Sequence, residues 1–535
     1  MKPPIVILFC LFCYACNPNF SQPSIATTPN LSFKDTLPEK EIAGNFSNQT
    51  NVVFDSTVIS LFLQAYPNFQ SLKSELHKFY RNRNYAYAWQ ISTGLIEQSY
   101  ILYNTILQNE DNALPQDIPY AEEYKKMMEQ NINENLLFRE LMITCQYLHY
   151  AKYLLSGIPE SDIKALGWFI PRKKINYTAL LDTILNNKLI PFDKIYYPQY
   201  AKLKSKLQFF KTLEKKSNWE KVVSDKKSYK IGDSSLILNR IKEKLFLLGD
   251  LTTNNHSNLF DTELLYGIKR FQRRFGLTQD GVLGKVVIAK LNQPISTSIK
   301  QILINMERCR WLPNETDKDY IMVNIPEFKL YAYIKDSIAF SCNVVVGKLT
   351  NKTVIFRGIM QYIVLAPYWN IPSEILAKEI LPAISKNPNY LHNHDMEWSN
   401  GKLRQRPGLQ NALGKIKFVF PNSYNIYLHD TPSKLLFNAD KRAFSHGCIR
   451  VSEPLTLALY LLRNDTTWNE NKLLTEMNSM EEKYLTLKNR VPVYIIYLTS
   501  FVDENGEINF RDDIYNRDEQ LKDMIFVKNQ EKLIK

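Results

Sequence analysis

The hydrophobic pattern changes period once along this chain, and that change commits it to a fold of unlike parts. From about residue 56 to 293, apolar residues recur at helix spacing; from about 319 they recur at every second position. Leu72, Leu76, Phe79 and Tyr80, and later Leu141, Leu148, Ala151 and Leu155, mark helices whose apolar stripes need a common core. Gly157-Ile158-Pro159 stops the second of these helices. The many Tyr and Phe residues here read as aromatic core rather than as a ligand platform, because at helical spacing they share one face. Between 229 and 293 a smaller pattern follows. Leu238, Ile241, Leu245 and Leu248 precede Gly249 at a C-cap position. Asp261 caps a helix carrying Leu264, Ile268, Phe271 and Phe275 that Gly276 ends, Asp280-Gly281 turns the chain, and Val286 to Leu291 make a last short helix. A unit this small reads as a binding module.

Beyond 319, Phe328, Leu330, Ala332 and Ile334 alternate with Lys329, Tyr331, Tyr333 and Lys335, as in a half-buried strand. Further β-runs are Phe340 to Val346, Met360 to Leu365, Lys417 to Phe420, Ile426 to Leu428 and Val491 to Leu498. Helices are expected from Ser373, after Pro372, and over Leu455 to Leu462. The fold class is multidomain α+β. A helical scaffold over 56–227 is followed by a three-helix module over 229–293, a linker helix over 294–318 and a mainly antiparallel β domain over 319–500. A charged tail over 501–535 is expected to pack weakly.

With 535 residues, 45% of them hydrophobic, the chain has material for several cores, which excludes global disorder. Lys and Arg outnumber Asp and Glu by 67 to 54, a net charge of +13 that suits a polyanionic or carboxylate-rich partner such as cell wall. No dense Lys/Arg block occurs, so nucleic acid is not an expected partner. After Met1-Lys2, the apolar run Ile5 to Ala15 is too short to span a bilayer but suits the core of an export signal. Ala15-Cys16 resembles a bacterial lipoprotein processing site, although Cys13 stands where Leu is usual. Cys16 is therefore the candidate for lipidation, plain cleavage and an uncleaved anchor being the alternatives. Residues 17–55, rich in Asn, Ser, Thr and Pro, read as a tether. Cys145, Cys309, Cys342 and Cys448 are too scattered for a disulfide framework, and a pairing of Cys309 with Cys342 stays open.

The densest chemistry is Ser445-His446-Gly447-Cys448-Ile449-Arg450, with His429 upstream in Tyr427-Leu428-His429-Asp430. A thiol becomes a strong nucleophile on losing its proton, and an imidazole can take that proton and hold a thiolate–imidazolium pair. A hairpin-like return is expected to bring His429 to Cys448. A helix starting after Cys448 would favour the thiolate, and the N–H groups of Gly447 and Cys448 would hold an oxyanion. Arg450 suits a substrate carboxylate. Against this stand a buried, inert Cys448 with an ordinary His429, and a zinc site from His429, His446 and Cys448.

The string SHGCIRV with a His upstream resembles the active-site signature of the L,D-transpeptidase family (YkuD-type catalytic domain). Its surroundings, among them "APYWNIPSEILAKEILP", "LRQRPGLQNALGKIKFVFPN" and "YLHDTPSKLLF", are similar to the larger, YcbB-like members. "GIKRFQRRFGLTQDGVLG" resembles the peptidoglycan-binding-type module, and "FYRNRNYAYAW" the helical scaffold of the same proteins. The resemblance implies an enzyme acting on peptidoglycan stem peptides and glycan, with no cofactor and no metal, and the leader adds a periplasmic location with membrane anchoring as a lipoprotein. It implies that Cys448 attacks a tetrapeptide stem, D-Ala leaves, and an amine resolves the thioester into a 3→3 cross-link. Water in place of the amine gives an L,D-carboxypeptidase, and an inactive wall-binding protein is the alternative of another class. His429 is then oriented by a backbone carbonyl, Tyr427 stands near the pair, Ser445, His446 and Gly447 build the wall and oxyanion hole, and Arg450 closes the motif. Arg404 and Arg406 either bind stem carboxylates or are solvated charges, while Tyr368, Trp369 and Asn370 either border the site or belong to the core. His392-Asn393-His394-Asp395 reads as a loop rather than a metal site. Between Leu391 and Leu403 the chain is short where larger relatives carry a lid-like insertion.

Overall fold

The computed structural model describes residues 53–91, 94–107, 118–129, 136–185, 195–314 and 318–527. The leader, Cys16 and nearly all of the tether lie outside the described residues. No helix among the described residues is long and apolar enough to cross a membrane.

Helices Thr57–Ala65, Lys73–Asn82, Glu97–Leu107, Ala121–Glu129 and Leu136–Ser156 close a first core around Phe62, Phe69, Phe79, Tyr80, Trp89, Tyr124 and Leu148. The aromatic residues at helical spacing are core, as expected. Glu140 is fully buried among them and tolerated because it accepts hydrogen bonds from the N–H of Ala88 (2.6 Å) and Trp89 (3.1 Å) and from the Tyr80 hydroxyl (3.0 Å). These bonds hold the chain where it enters the hairpin of β1 (Gln90–Ile91) and β2 (Gly94–Leu95).

The packing changes partners before the helical region ends. Strand β3 (Trp168–Phe169) joins the large C-terminal sheet, and helix Gln199–Lys216 lays Tyr200, Leu203, Leu207 and Phe210 into a second core. That core also contains the small module and helix Ile295–Trp311. The module's helices are Leu236–Leu247, Thr262–Arg274 and Lys285–Leu291, tied by β4 (Ser228–Tyr229) and β5 (Leu283–Gly284). Asp261 caps the middle helix as predicted, its Oδ1 accepting from the Leu264 N–H at 2.9 Å. Helix Ile295–Trp311 is buried almost throughout. Its Glu307 accepts from the Ile158 N–H (2.7 Å), Trp311 Nε1 (2.9 Å) and Arg310 (2.9 Å), joining the end of helix Leu136–Ser156 to the second core.

The β region contributes β6 (Tyr320–Asn324), β7 (Lys329–Ile334), β8 (Ser337–Gly347) and β9 (Ile355–Leu365). A separate three-stranded sheet follows, from β10 (Trp369–Asn370), β11 (Met396–Ser399) and β12 (Lys402–Gln405). The main sheet continues through β13 (Ile416–Val419), β14 (Leu428–His429), β15 (Ala443–Ser445), β16 (Ile449–Val451) and β17 (Lys483–Ile496). Its order is β13-β14-β16-β8-β7-β6-β17-β9-β3, and because β13 also pairs with β9, eight of these strands close into a ring. Most pairs are antiparallel, but β14–β16, β6–β17, β15–β8 and β3–β9 are parallel.

The tail corrects an expectation. Instead of packing weakly, β18 (Ser500–Val502) and β19 (Ile508–Phe510) pair, and Phe501, Val502, Phe510, Tyr515, Leu521 and Ile525 are buried. Charged residues carry the tail's surface while apolar ones close the core beneath. Its Glu507 also receives Arg270 and Arg273 from the small module.

Candidate active site

Strand β14 is only two residues long, and its position rests on its neighbours. It runs antiparallel to β13, with Lys417 opposite His429, and parallel to β16, with Leu428 opposite Ile449 and His429 opposite Arg450. Tyr427 and Cys448 therefore stand side by side at the entry of two parallel strands, joined by the Ile449 N–H to the Tyr427 carbonyl (3.1 Å). The expected hairpin return does not occur; lateral parallel pairing brings the two motifs together, with Tyr427 next to Cys448 and His429 opposite Arg450. Nor does a helix begin at Cys448, because β16 intervenes and the next helix is Pro454–Leu462. The thiol therefore has no helix dipole behind it.

The loop carrying Cys448 is bent by its own hydrogen bonds. Ser445 Oγ donates to the Cys448 carbonyl (2.5 Å) and accepts from the Gly447 N–H (3.1 Å). Gly447 has φ 115°, a conformation that a Cβ would strain, and its carbonyl accepts from Thr353 Oγ1 at 2.8 Å. The Gly447 N–H, expected in an oxyanion hole, is thus already engaged by Ser445. His446 leaves the loop on its outer side and meets Glu379 Oε1 at 2.7 Å, in the helical stretch Leu376–Ile380.

His429 is buried, with Nδ1 2.5 Å from the Asp430 carbonyl. A carbonyl only accepts, so Nδ1 carries the proton and Nε2 is left as the base. Burial, with the Arg450 and Lys417 charges, holds its pKa down at about 3, so the imidazole is neutral at ordinary pH. Burial pushes the half-buried Cys448 thiol up, opposed by hydrogen bonds from Tyr427 and by the Lys417 and Arg450 charges. The resting pair is accordingly thiol and neutral imidazole, not the expected thiolate–imidazolium pair. The Cys448 sulfur also lies 3.6 Å from the Asn425 carbonyl.

Arg450 lies opposite His429 in the β14–β16 register, its buried Nε without a hydrogen-bond partner among the described residues. Arg404 and Arg406 do not come free to the site: Glu397 takes both, at 2.9 and 2.6 Å, and the Arg404 guanidinium lies 4.0 Å from the centre of the Tyr368 ring. Tyr368 donates its N–H to Glu482 (2.8 Å), and Trp369 is half-buried on β10. Cys309 and Cys342 are buried free thiols and do not pair. His392 and Asn393 end the short helix Tyr390–Asn393, and the His394 ring bonds the Tyr390 carbonyl (2.8 Å). Among the described residues no group of three or more His, Cys, Asp or Glu is arranged to hold a metal ion. Sequence reasoning missed Lys417, half-buried with its Nζ 4.0 Å from the centre of the Tyr427 ring. The one available signal was a lysine set inside an apolar strand, Ile416-Lys417-Phe418.

The L,D-transpeptidase catalytic domain family (YkuD) matches residues 318–472, which include this site. A scaffold domain family matches 74–207, and the "Putative peptidoglycan binding domain" family matches 239–291. A curated relative, "Putative L,D-transpeptidase" of Haemophilus influenzae, is 31% identical over 247 residues, covering 42% of this chain and 50% of the relative. The chain thus spans about half the length of the curated relative it matches. Among solved structures, an L,D-transpeptidase from Stackebrandtia nassauensis is 15% identical, with 51% of this chain and 97% of that one covered and a TM-score of 0.22. One from Mycobacterium smegmatis is 13% identical, with 34% and 58% covered and a TM-score of 0.20. Likenesses with scores this low carry no argument about the site. The three family matches do: in chain order this protein carries a scaffold domain, a peptidoglycan-binding domain and a YkuD L,D-transpeptidase catalytic domain, the YcbB-like architecture.

Proposed function

We propose that the chain is an extracytoplasmic peptidoglycan L,D-transpeptidase in which Cys448 carries the acyl group and His429 moves the proton. The observation that supports this most is the lateral pairing of β14 and β16. It sets Cys448 beside Tyr427 and His429 beside Arg450, with His429 Nδ1 tied to a carbonyl so that Nε2 is the base. In this reading Nε2 takes the thiol proton as sulfur attacks the carbonyl joining the third stem residue to D-Ala. In this reading the Cys448 N–H and the Tyr427 hydroxyl donate to the resulting oxyanion. The C–N bond then breaks, Nε2 returns the proton to the D-Ala amine, and a thioester remains on Cys448. An amine of a second stem attacks the thioester, gives its proton to His429 and restores the thiol, leaving a 3→3 cross-link. In the same reading Arg450 holds a stem carboxylate.

The wall itself is the proposed partner of the small module. A cleft of about 750 Å³ along its edge is lined by Lys221, Lys226, Lys227 and Lys285, which suits a carboxylate-rich polymer. Anchoring through a lipid on Cys16 is part of the same proposal, tested by loss of fatty-acid labelling in Cys16→Ala. The central test is mass spectrometry of tetrapeptide muropeptides incubated with the wild type and with Cys448→Ala. Dimers with loss of D-Ala, absent in the variant, are expected. Tripeptide without dimers would favour the carboxypeptidase, and no change in either sample would sink the proposal. A carbapenem is expected to add its mass to wild type and not to Cys448→Ala.

A further inference from the structure

Cys448 has to bear negative charge in a half-buried place whose histidine resists becoming a cation and which no helix dipole reaches. The groups acting on it are Tyr427 at the entry of β14, Arg450 on β16 and Lys417 on β13, with the His429 ring on β14 centred 5.6 Å from the Tyr427 ring. His446 is turned toward Glu379, and Glu482 faces Lys417. Lys417 is the least expected of them. Its ammonium lies 4.0 Å from the centre of the Tyr427 ring and makes no hydrogen bond or ion pair among the described residues. The hydroxyl and N–H of that same Tyr427 hydrogen-bond the Cys448 sulfur, which itself donates toward the Asn425 carbonyl. A desolvated ammonium without a bound carboxylate is costly, so a lysine here needs a compensating anion. Two groups supply negative charge to Lys417, the Cys448 sulfur first and Glu482 second, and of these only the sulfur gains its charge in the reaction.

We propose that Lys417 is a positioning residue for the Cys448 thiolate: held on the Tyr427 face, its ammonium offsets the charge that the sulfur acquires on ionising. The S–H bond breaks with its electron pair left on sulfur, the proton passes to His429 Nε2, and Lys417 keeps all its own protons. The cation that an imidazolium would otherwise supply is thus already in place before the thiol ionises and is built into the neighbouring strand β13. Burial lowers the Lys417 pKa, while the Cys448 and Glu482 charges act to raise it, as a cation awaiting an anion requires. The inference rests on Cys448 being the nucleophile.

Its test is the rate at which iodoacetamide alkylates Cys448 in the full chain between pH 5 and 10, located by peptide mapping, for wild type, Lys417→Met and Lys417→Arg. The rate midpoint is expected to rise by about one pH unit or more in Lys417→Met, since a neighbouring opposite charge moves a pKa by roughly that much. Below the midpoint this is an alkylation about tenfold slower, and Lys417→Arg should restore it. A purely structural lysine would lower thermal stability without moving the midpoint, and an unmoved midpoint overturns the inference. Should Lys417→Met not fold, Glu482→Gln frees Lys417 of its neighbouring carboxylate and must lower the midpoint; no change there overturns it equally. If wild-type Cys448 is not alkylated at all, the nucleophile itself is lost and this inference with it. Alkylation with an unmoved midpoint removes only the role of Lys417.

Discussion

At the scale of single residues the site stores its acid–base asymmetry in His429. Its pKa of about 3 in the folded chain lies well below the ordinary value of 6.5, so the unfolded chain binds a proton that the folded one refuses. Stability from this group is complete above about pH 6.5 and is lost as pH falls toward 3. His429→Gln should therefore flatten the fall of the thermal midpoint between pH 6.5 and 4, measured by calorimetry, while abolishing turnover. Cys448 and His429 drew attention in the sequence because both sit in dense local motifs, Ser445-His446-Gly447-Cys448-Ile449-Arg450 and Tyr427-Leu428-His429-Asp430. The roles of Arg404 and Arg406 were not legible, because the acid that balances them, Glu397, meets them across β11 and β12. Lys417 was hidden for the same reason: only strand register sets it opposite His429.

At the scale of elements, the reactive loop is braced from two sides. Gly447 at φ 115° can be replaced by Ala only with a strain of about 1–3 kcal/mol. Gly447→Ala is expected to fold, by circular dichroism, yet lose at least tenfold in kcat. From the other side, the Tyr515 hydroxyl donates to the Gly347 carbonyl and accepts from the buried Thr353 N–H (3.2 Å), and Thr353 Oγ1 in turn holds Gly447. Tyr515→Phe strands that N–H and should cost about 1–3 kcal/mol in urea unfolding, with activity reduced several-fold. The helices of the small module were readable to the cap because 3.6-residue periodicity and Asp261 are local signals. The parallel pairing of β14 with β16 was unreadable, since two- and three-residue strands carry no period of their own. The buried face of the tail was masked by the charged residues that alternate with Phe510 and Tyr515.

At the scale of the whole molecule, the sequence pattern announced unlike parts but not how their cores are shared. The second core runs from helix Gln199–Lys216 through the module into the closed sheet, a long-range outcome that no window of sequence contains. Replacing Lys221, Lys226, Lys227 and Lys285 together by Gln should leave cleavage of soluble muropeptides intact. Retention on isolated sacculi should drop and lose most of its salt dependence, as read by co-sedimentation. The buried tail has a further consequence, one of order. Tyr515 follows the Cys448 loop in the sequence, yet it braces the turn on which that loop rests. A chain made from its N-terminus therefore has the thiol before it has the brace that shapes the thiol's loop.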